Sequence, residues 1–331
     1  MKKLRIGIVG AGTIVRQRHV PGICAEEDVE IVAVANSTPA SAKSFCEECA
    51  PQAEVVADWR ELVCRPDVDI VWIGTGPSLH APVTIASLEA GKHVFCQARM
   101  STDLESALRM LAASEARPDQ VTMLCPPPQG LRTDAFVRKL LAEKVVGEIR
   151  SLRLRSLNSL FLDPAKPAHW RQQTGISGKN IMSLGIHTEV LQRWFGPFGP
   201  KAAIGRVFVE KRGKDTVKIP DEVTILADLA SGGLVVLELS GVWSGPAVEM
   251  LEVCGSTGLI TIDFAQDKII LSQPGKAEPR TLDVPSDLDR PWRVEADFID
   301  AVRNSSAPRP HPTFRDGVAY MEVVEAVWNL L

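Results

Sequence analysis

The residues best placed to do chemistry come early in the chain. Gly10-Ala11-Gly12-Thr13-Ile14-Val15 follows directly on the apolar run Leu4–Val9, and the chemistry it suggests is anion binding. A glycine at position 10 permits a tight turn, and the missing side chain at position 12 lets backbone approach a ligand closely. The N–H groups of the helix that follows lack partners in their own first turn, so a pyrophosphate can accept from them. Val15 occupies the third small position of the G-x-G-x-x-G fingerprint. The assignment therefore rests on context, a strand, turn and helix followed by a second apolar strand at 31–35. Gly10, Gly12, Thr13 and Ile14 are expected to hold a dinucleotide. Cys46-Glu47-Glu48-Cys49 is a second arrangement, on a helix predicted over 40–49 that puts both thiols on one side. Structural zinc needs four ligands and no second pair lies near in sequence, so no metal site is expected.

Cofactor choice turns on the end of the second strand. An acid there grips the ribose diol of NAD and repels a 2′-phosphate. This chain has Asn36, followed by Ser37 and Thr38, with Lys43 on the next helix. The neutral amide and the two hydroxyls favour NADP over NAD, and these residues join the expected cofactor contacts.

Such residues have to be positioned by a scaffold, and the apolar pattern supplies one. Strands at 4–9, 31–35, 55–57, 70–75 and 93–96 alternate with helices from Ile14 and Pro39, at 59–63 and 81–90, and from Asp103. Alternating β and α elements predict a doubly wound parallel sheet, and the unalternated run Ile70-Val71-Trp72-Ile73 fits strands covered on both faces. Leu124-Cys125-Pro126-Pro127-Pro128-Gln129-Gly130 can neither continue a helix nor fill a central strand. The expected domains are thus a Rossmann domain over 1–125 and an α/β domain over 126–331, with a final helix over 316–331 free to pack back on the first. In the second domain a helix at 133–142 and the segment 148–157 precede predicted strands at 204–209, 223–229, 234–239, 250–254, 259–264 and 268–271. Turns such as Ser231-Gly232-Gly233 make them a large, mostly antiparallel open sheet. Its free face is expected to form a homodimer or homotetramer, or to cover substrate.

Composition excludes several classes. The 331 residues are 45% apolar and 24% charged with a net charge of −4, which argues against nucleic acid as the main partner. No apolar stretch is long enough to span a bilayer, so no membrane partner is expected. Met1-Lys2-Lys3 and the apolar run after it read as the first strand rather than a leader. Seven cysteines fit a reducing, cytoplasmic compartment.

Beyond the glycine turn, three further stretches carry a resemblance. They are Val68-Asp69-Ile70-Val71-Trp72-Ile73-Gly74-Thr75-Gly76-Pro77-Ser78-Leu79-His80, Leu88-Glu89-Ala90-Gly91-Lys92-His93-Val94, and Ser177-Gly178 followed by Gly185-Ile186-His187. With Phe298–Arg303, Phe314-Arg315-Asp316-Gly317 and Val323-Val324-Glu325-Ala326 near the end, they resemble the glucose–fructose oxidoreductase, inositol dehydrogenase and rhizopine catabolism (Gfo/Idh/MocA) family across essentially the whole chain. The resemblance implies a Rossmann domain, a second domain with a large sheet, and a nicotinamide cofactor. Thr75, Gly76, Pro77 and His80 match the family's Thr-Pro-Pro-Asn-x-His loop, and Gln97, Trp170 and Arg171 match positions against the nicotinamide end. Family members oxidise sugars, reduce ketones, or use the cofactor transiently for elimination, hydrolysis or epimerisation.

The chain departs from the family at its catalytic positions. Gln97-Ala98-Arg99 replaces Glu-Lys-Pro, so the lysine position holds Ala98, and Ser183 replaces the aspartate of Asp-x-x-x-His while His187 is retained. Hydride transfer from an alcohol needs a base for the hydroxyl proton, worth about 10²–10⁴ in rate. Arg99 cannot release a proton near neutral pH, but it can bind a substrate carboxylate or stabilise an alkoxide. His187 is left as acid/base, with Ser183 one turn before it to orient the ring. Lys179 is a weaker replacement for the lysine, and Asp163 and His169 are further substrate contacts. The expected protein is an NAD(P)-dependent oxidoreductase acting on a small, sugar-derived or hydroxy/keto-acid substrate. The alternatives are a lyase, hydrolase or epimerase with transient oxidation, or a non-catalytic dinucleotide binder.

Overall fold

The computed structural model describes residues 3–276, 278–304, 306 and 309–331; Met1 and Lys2, where the predicted first strand follows, lie outside them. The chain forms two compact units, Met1–Pro126 with Arg293–Val318, and Pro127–Trp292 with Ala319–Leu331.

In the first unit β1 (Leu4–Val9) leads through a π-helical turn (Val15–His19) into α1 (Val20–Cys24). Then come β2 (Val29–Ala35), α2 (Pro39–Cys49), β3 (Glu54–Val55), α3 (Trp59–Val63), β4 (Ile70–Ile73), α4 (Pro77–Glu89), β5 (His93–Cys96), α5 (Leu104–Glu115) and β6 (Thr122–Leu124). The sheet order is β3-β2-β1-β4-β5-β6, with every pair parallel. The chain runs outward from β1 to β3 and then crosses to β4, so the order reverses between β1 and β4. A crevice opens outside the strand ends at such a reversal. Helix α4 starts four residues before the predicted 81–90. Pro77 opens it, where a residue without an N–H costs nothing, and this early start brings His80 into the first turn.

The second unit contains α6 (Asp134–Ala142), β7 (Ile149–Leu157), a 3₁₀ turn (Trp170–Gln172), α7 (Thr174–Ser177), α8 (Leu184–Phe195) and β8 (Phe198–Arg206). A small hairpin of β9 (Lys211–Arg212) and β10 (Asp215–Thr216) follows, then β11 (Glu222–Leu229), β12 (Leu234–Ser240), β13 (Val248–Gly255), β14 (Leu259–Asp263), β15 (Lys268–Ser272) and β16 (Arg280–Leu282). The eight-stranded order is β16-β15-β14-β13-β7-β12-β11-β8, and only the β7–β12 pair is parallel. One face alternates into the core through Leu152, Leu154, Val223, Ile225, Leu237, Leu251 and Val253. The strand predicted at 204–209 lies earlier, at 198–206. Beyond Arg206 the chain leaves β11, and the Asp221 carboxylate accepts the amide hydrogens of Phe208 and Val209 instead.

The last elements are α9 (Val294–Arg303) and α10 (Phe314–Leu330). Residues 293–318, grouped above with the second domain, belong to the first unit. Phe298 meets Trp72 and Phe95 edge-on with ring centroids 5.8 and 5.6 Å apart. Gly22 on α1 leaves room for Glu295, since a Cβ there would stand 2.6 Å from a carboxylate oxygen. No helix among the described residues is long and apolar enough to cross a membrane.

Candidate active site

The first unit holds a cavity of about 450 Å³ at the carboxyl ends of β1, β2 and β4. Gly10, Gly12, Asn36, Ser37, Thr75 and Gly76 line it, six of the residues expected from sequence. Gly10 has φ +88°, and a Cβ there would lie 2.6 Å from the Thr75 backbone nitrogen; around Gly12 there is open space instead. The first glycine therefore serves the turn, and the second keeps a ligand surface clear. Asn36 fixes the turn by accepting the Ala11 N–H at 3.3 Å. A nucleotide phosphate fits this cradle of glycine backbone and helix start.

Asp58 and Trp59 line the same cavity, beyond the residues expected from sequence. Asp58 caps α3, accepting the Arg60 N–H at 2.9 Å, and that hydrogen bond holds its carboxyl below the usual carboxylate range. Trp59 stands beside it with the Arg60 guanidinium stacked 4.6 Å over its ring. Asp before a short apolar helix is an N-cap pattern, a signal already present in the sequence. Thr38 is drawn away from the cavity by the same logic: its hydroxyl caps α2 in a reciprocal box with Ser41. Lys43 pairs with Glu47 on its own helix. Thr13 and Ile14 are exposed at the start of the π-helical turn, outside the cavity lining.

His80 is not a ligand contact. It is completely buried, with Nδ1 2.8 Å from the Arg99 carbonyl and Nε2 3.0 Å from the Thr75 carbonyl. Burial pushes its pKa down against the pull of these carbonyls. A neutral ring has one N–H and donates to one of these carbonyls only, while its position sets the loop after β4 beside the loop after β5. Pro77 beside it is buried in the helix start. Arg99 is only 1% exposed, which excludes a surface arginine. Gln97 contacts the ring of His19 through its side-chain nitrogen, and His19 Nδ1 lies 2.5 Å from Glu295 Oε1. Both partners of this last pair are buried, and neither was anticipated because 276 residues separate them.

In the second unit His187 sits in the first turn of α8, 1% exposed. Nε2 stands 2.9 Å from Glu249 Oε1, an ion-pair distance when the ring is protonated, while neither ring nitrogen makes a hydrogen bond of good geometry among the described residues. Ser183 does not orient the ring as expected. Its carbonyl accepts the His187 backbone N–H, and its hydroxyl lies 3.2 Å from the Ser156 hydroxyl. Ser156 in turn donates to Glu249 Oε2 at 2.9 Å. Lys179 is committed to an ion pair with Glu325. Trp170 and Arg171 stack on each other, the guanidinium 4.4 Å over the ring, and burial lowers the Arg171 pKa. Asp163 accepts the Ala165 N–H, and His169 caps the 3₁₀ turn through the Arg171 N–H, so both do local structural work. Cys46 and Cys49 are free, as are the other five cysteines, and burial raises both thiol pKa values.

Comparisons with known proteins find two family matches along the chain. Residues 4–124 match the oxidoreductase family with an NAD-binding Rossmann fold, and residues 135–261 match the GFO/IDH/MocA C-terminal domain. A dTDP-3,4-didehydro-2,6-dideoxy-alpha-D-glucose 3-reductase of Saccharopolyspora spinosa is 27% identical over 265 residues, 80% of this chain and 76% of the relative. Levoglucosan dehydrogenase of Pseudarthrobacter phenanthrenivorans is 28% identical over 198 residues, 54% of this chain and 50% of that protein, so this match spans half its length. Among solved structures, a levoglucosan dehydrogenase in complex with NADH and levoglucosan superposes with a TM-score of 0.88 at 22% identity, covering 99% of this chain and 96% of that one. A 3-ketoreductase from Actinomadura kijaniata in complex with NADP and TDP-benzene gives 0.80 at 24% identity, covering 99% and 98%. At these identities the structures establish the shared fold.

Proposed function

The chain belongs to the GFO/IDH/MocA oxidoreductase family, whose two domains it matches in order, and on that premise we propose that it transfers a hydride between NADP(H) or NAD(H) and a hydroxyl-bearing or carbonyl carbon of a small sugar-derived or keto-acid substrate. The observation that carries this reading is the cavity of about 450 Å³ whose lining joins the Gly10–Gly12 turn to Asn36, Ser37, Thr75 and Gly76. Those residues, with Thr13 and Ile14 at the helix start, would hold the dinucleotide, and Gln97, Trp170 and Arg171 would meet its nicotinamide end. The bound nicotinamide supplies or accepts the hydride. Asn36 puts a neutral amide at the end of β2 where an acid would repel a 2′-phosphate, which favours NADP. The activities of the relatives, a sugar 3-reductase and a levoglucosan dehydrogenase, point to a carbohydrate.

His187 takes or gives the substrate proton at Nδ1, the ring nitrogen away from Glu249, which stands beside Nε2. Ala98 stands at the position of the family's lysine and Lys179 is paired elsewhere, so the proton step falls to His187 alone. The buried Arg99 is assigned to holding a substrate carboxylate or a developing alkoxide with its guanidinium, while its backbone carbonyl meets His80. The loss of the lysine favours one competing reading, a dinucleotide-binding protein without turnover. The outward face of the sheet carries Ile204, Leu226 and Leu234, which are 66%, 50% and 60% exposed, and is assigned to a homodimer or homotetramer contact. Seven free cysteines support a cytoplasmic location.

Calorimetric titration of the cofactor-stripped protein with NADPH and NADH is the first test, followed by a sugar and keto-acid screen read at the nicotinamide absorbance. His187→Ala is expected to lower kcat by about 10²–10⁴ with cofactor binding intact. Full activity in that variant removes His187 from the reaction, and no binding of either cofactor removes the oxidoreductase reading altogether.

A further inference from the structure

We propose that Glu249 on β13 is the positioning carboxylate of His187, supplied by the sheet where α8 itself offers only Ser183. The inference rests on the reading of His187 as the proton-transfer residue. A buried imidazole that takes up a proton becomes a buried cation, and such a charge is tolerated only beside a compensating anion. Ser183 cannot provide one, because it is neutral and its hydroxyl is turned to Ser156. Glu249 can: Oε1 is 2.9 Å from His187 Nε2.

The carboxylate is held in place at its other oxygen. Ser156 and Glu249 are direct partners in the β7–β13 register, and the Ser156 hydroxyl donates to Oε2 at 2.9 Å. Ser183, Ser156, Glu249 and His187 thus form one connected row from the start of α8, across two strands, and back to α8. A carboxylate 2.9 Å from Nε2 favours by its charge a proton on that nitrogen, leaving the lone pair on Nδ1. In the oxidative direction the substrate O–H bond breaks and its proton joins Nδ1, the O–H electron pair becomes the second C–O bond, and the C–H pair would leave with its hydrogen as hydride to the oxidised nicotinamide of the proposed function. The ring's new charge then faces Glu249.

The test uses the full-length protein labelled with ring ¹⁵N-histidine, in wild type, Glu249→Gln, Glu249→Asp and the double variant Glu249→Gln/Ser183→Asp. His187→Gln assigns the His187 signals. NADPH affinity serves as the check on folding. The expected wild-type spectrum has the neutral His187 ring protonated at Nε2. Glu249→Gln mixes the tautomers and lowers kcat about tenfold or more with KM little changed. Ser183→Asp, returning a carboxylate from the helix, restores both readings, which repair of mere packing at residue 249 would not do. An unchanged tautomer and kcat in a folded Glu249→Gln overturn the assignment, as does a double variant that recovers neither. If the Gln variant does not fold, Glu249→Asp decides: the charge alone should preserve the Nε2 tautomer, and its loss counts against the proposal. Should His187→Ala remain fully active, the acid/base reading fails separately, while the tautomer measurement still judges Glu249.

Discussion

Two glycines two residues apart do opposite jobs, and single methyl groups separate them. At Gly10 the backbone is left-handed and a Cβ runs into Thr75 and Gly74. Gly10→Ala is expected to cost about 1–2 kcal/mol from the dihedral alone, with the contact adding to it, and to show as a lowered melting temperature. Gly12→Ala meets nothing within the protein, so stability should hold while NADPH affinity falls roughly tenfold, the equivalent of ~1.4 kcal/mol. Calorimetry on the two variants separates the roles. Asn36→Asp should move the NADPH-to-NADH affinity ratio towards NADH by placing an acid where a 2′-phosphate would lie; an unchanged ratio would remove Asn36 from the choice. Asp58, whose carboxyl is held below the usual range, is an acid already present in the same lining.

Elements were legible in the sequence where one local force decides them. Unalternated apolar runs marked β1, β4 and β5, and their order with the intervening helices gave the doubly wound sheet. The three-residue strands β6 and β16 carry too few side chains to show a period, and Gly199, Pro200 and Gly205 hide β8. The site was legible wherever its residues lie in one turn or one strand end, as with Gly10, Gly12, Asn36 and Thr75. It was illegible wherever partners meet through register: Glu249 reaches His187 because β13 lies beside β7, which no spacing along the chain states. His80 shows the middle case. Its presence in the loop motif was readable, while its burial followed from Pro77 starting α4 early. Since its pKa in the fold is pushed below the ordinary value of about 6.5, the stability it contributes is complete above that pH and lost as pH falls. Thermal unfolding between pH 7.5 and 5 should therefore show a smaller acid loss in His80→Asn than in wild type; parallel curves would mean the ring is already charged.

For the molecule as a whole, the exposed sheet face makes a test of assembly. Leu226→Lys with Leu234→Lys adds two charges where neighbouring strands turn outward, and sedimentation should show a smaller species than wild type with NADPH binding retained. A wild-type monomer would remove that face from any assembly. The division of the chain has a consequence for its biosynthesis. His19 must wait for Glu295, 276 residues later, and at 5–20 residues per second a ribosome needs roughly 14–55 s to cover that distance. Through that interval Trp72 and Phe95 are without Phe298, which packs on both in the finished protein. The nascent Rossmann sheet therefore emerges with this aromatic surface bare until α9 has been made.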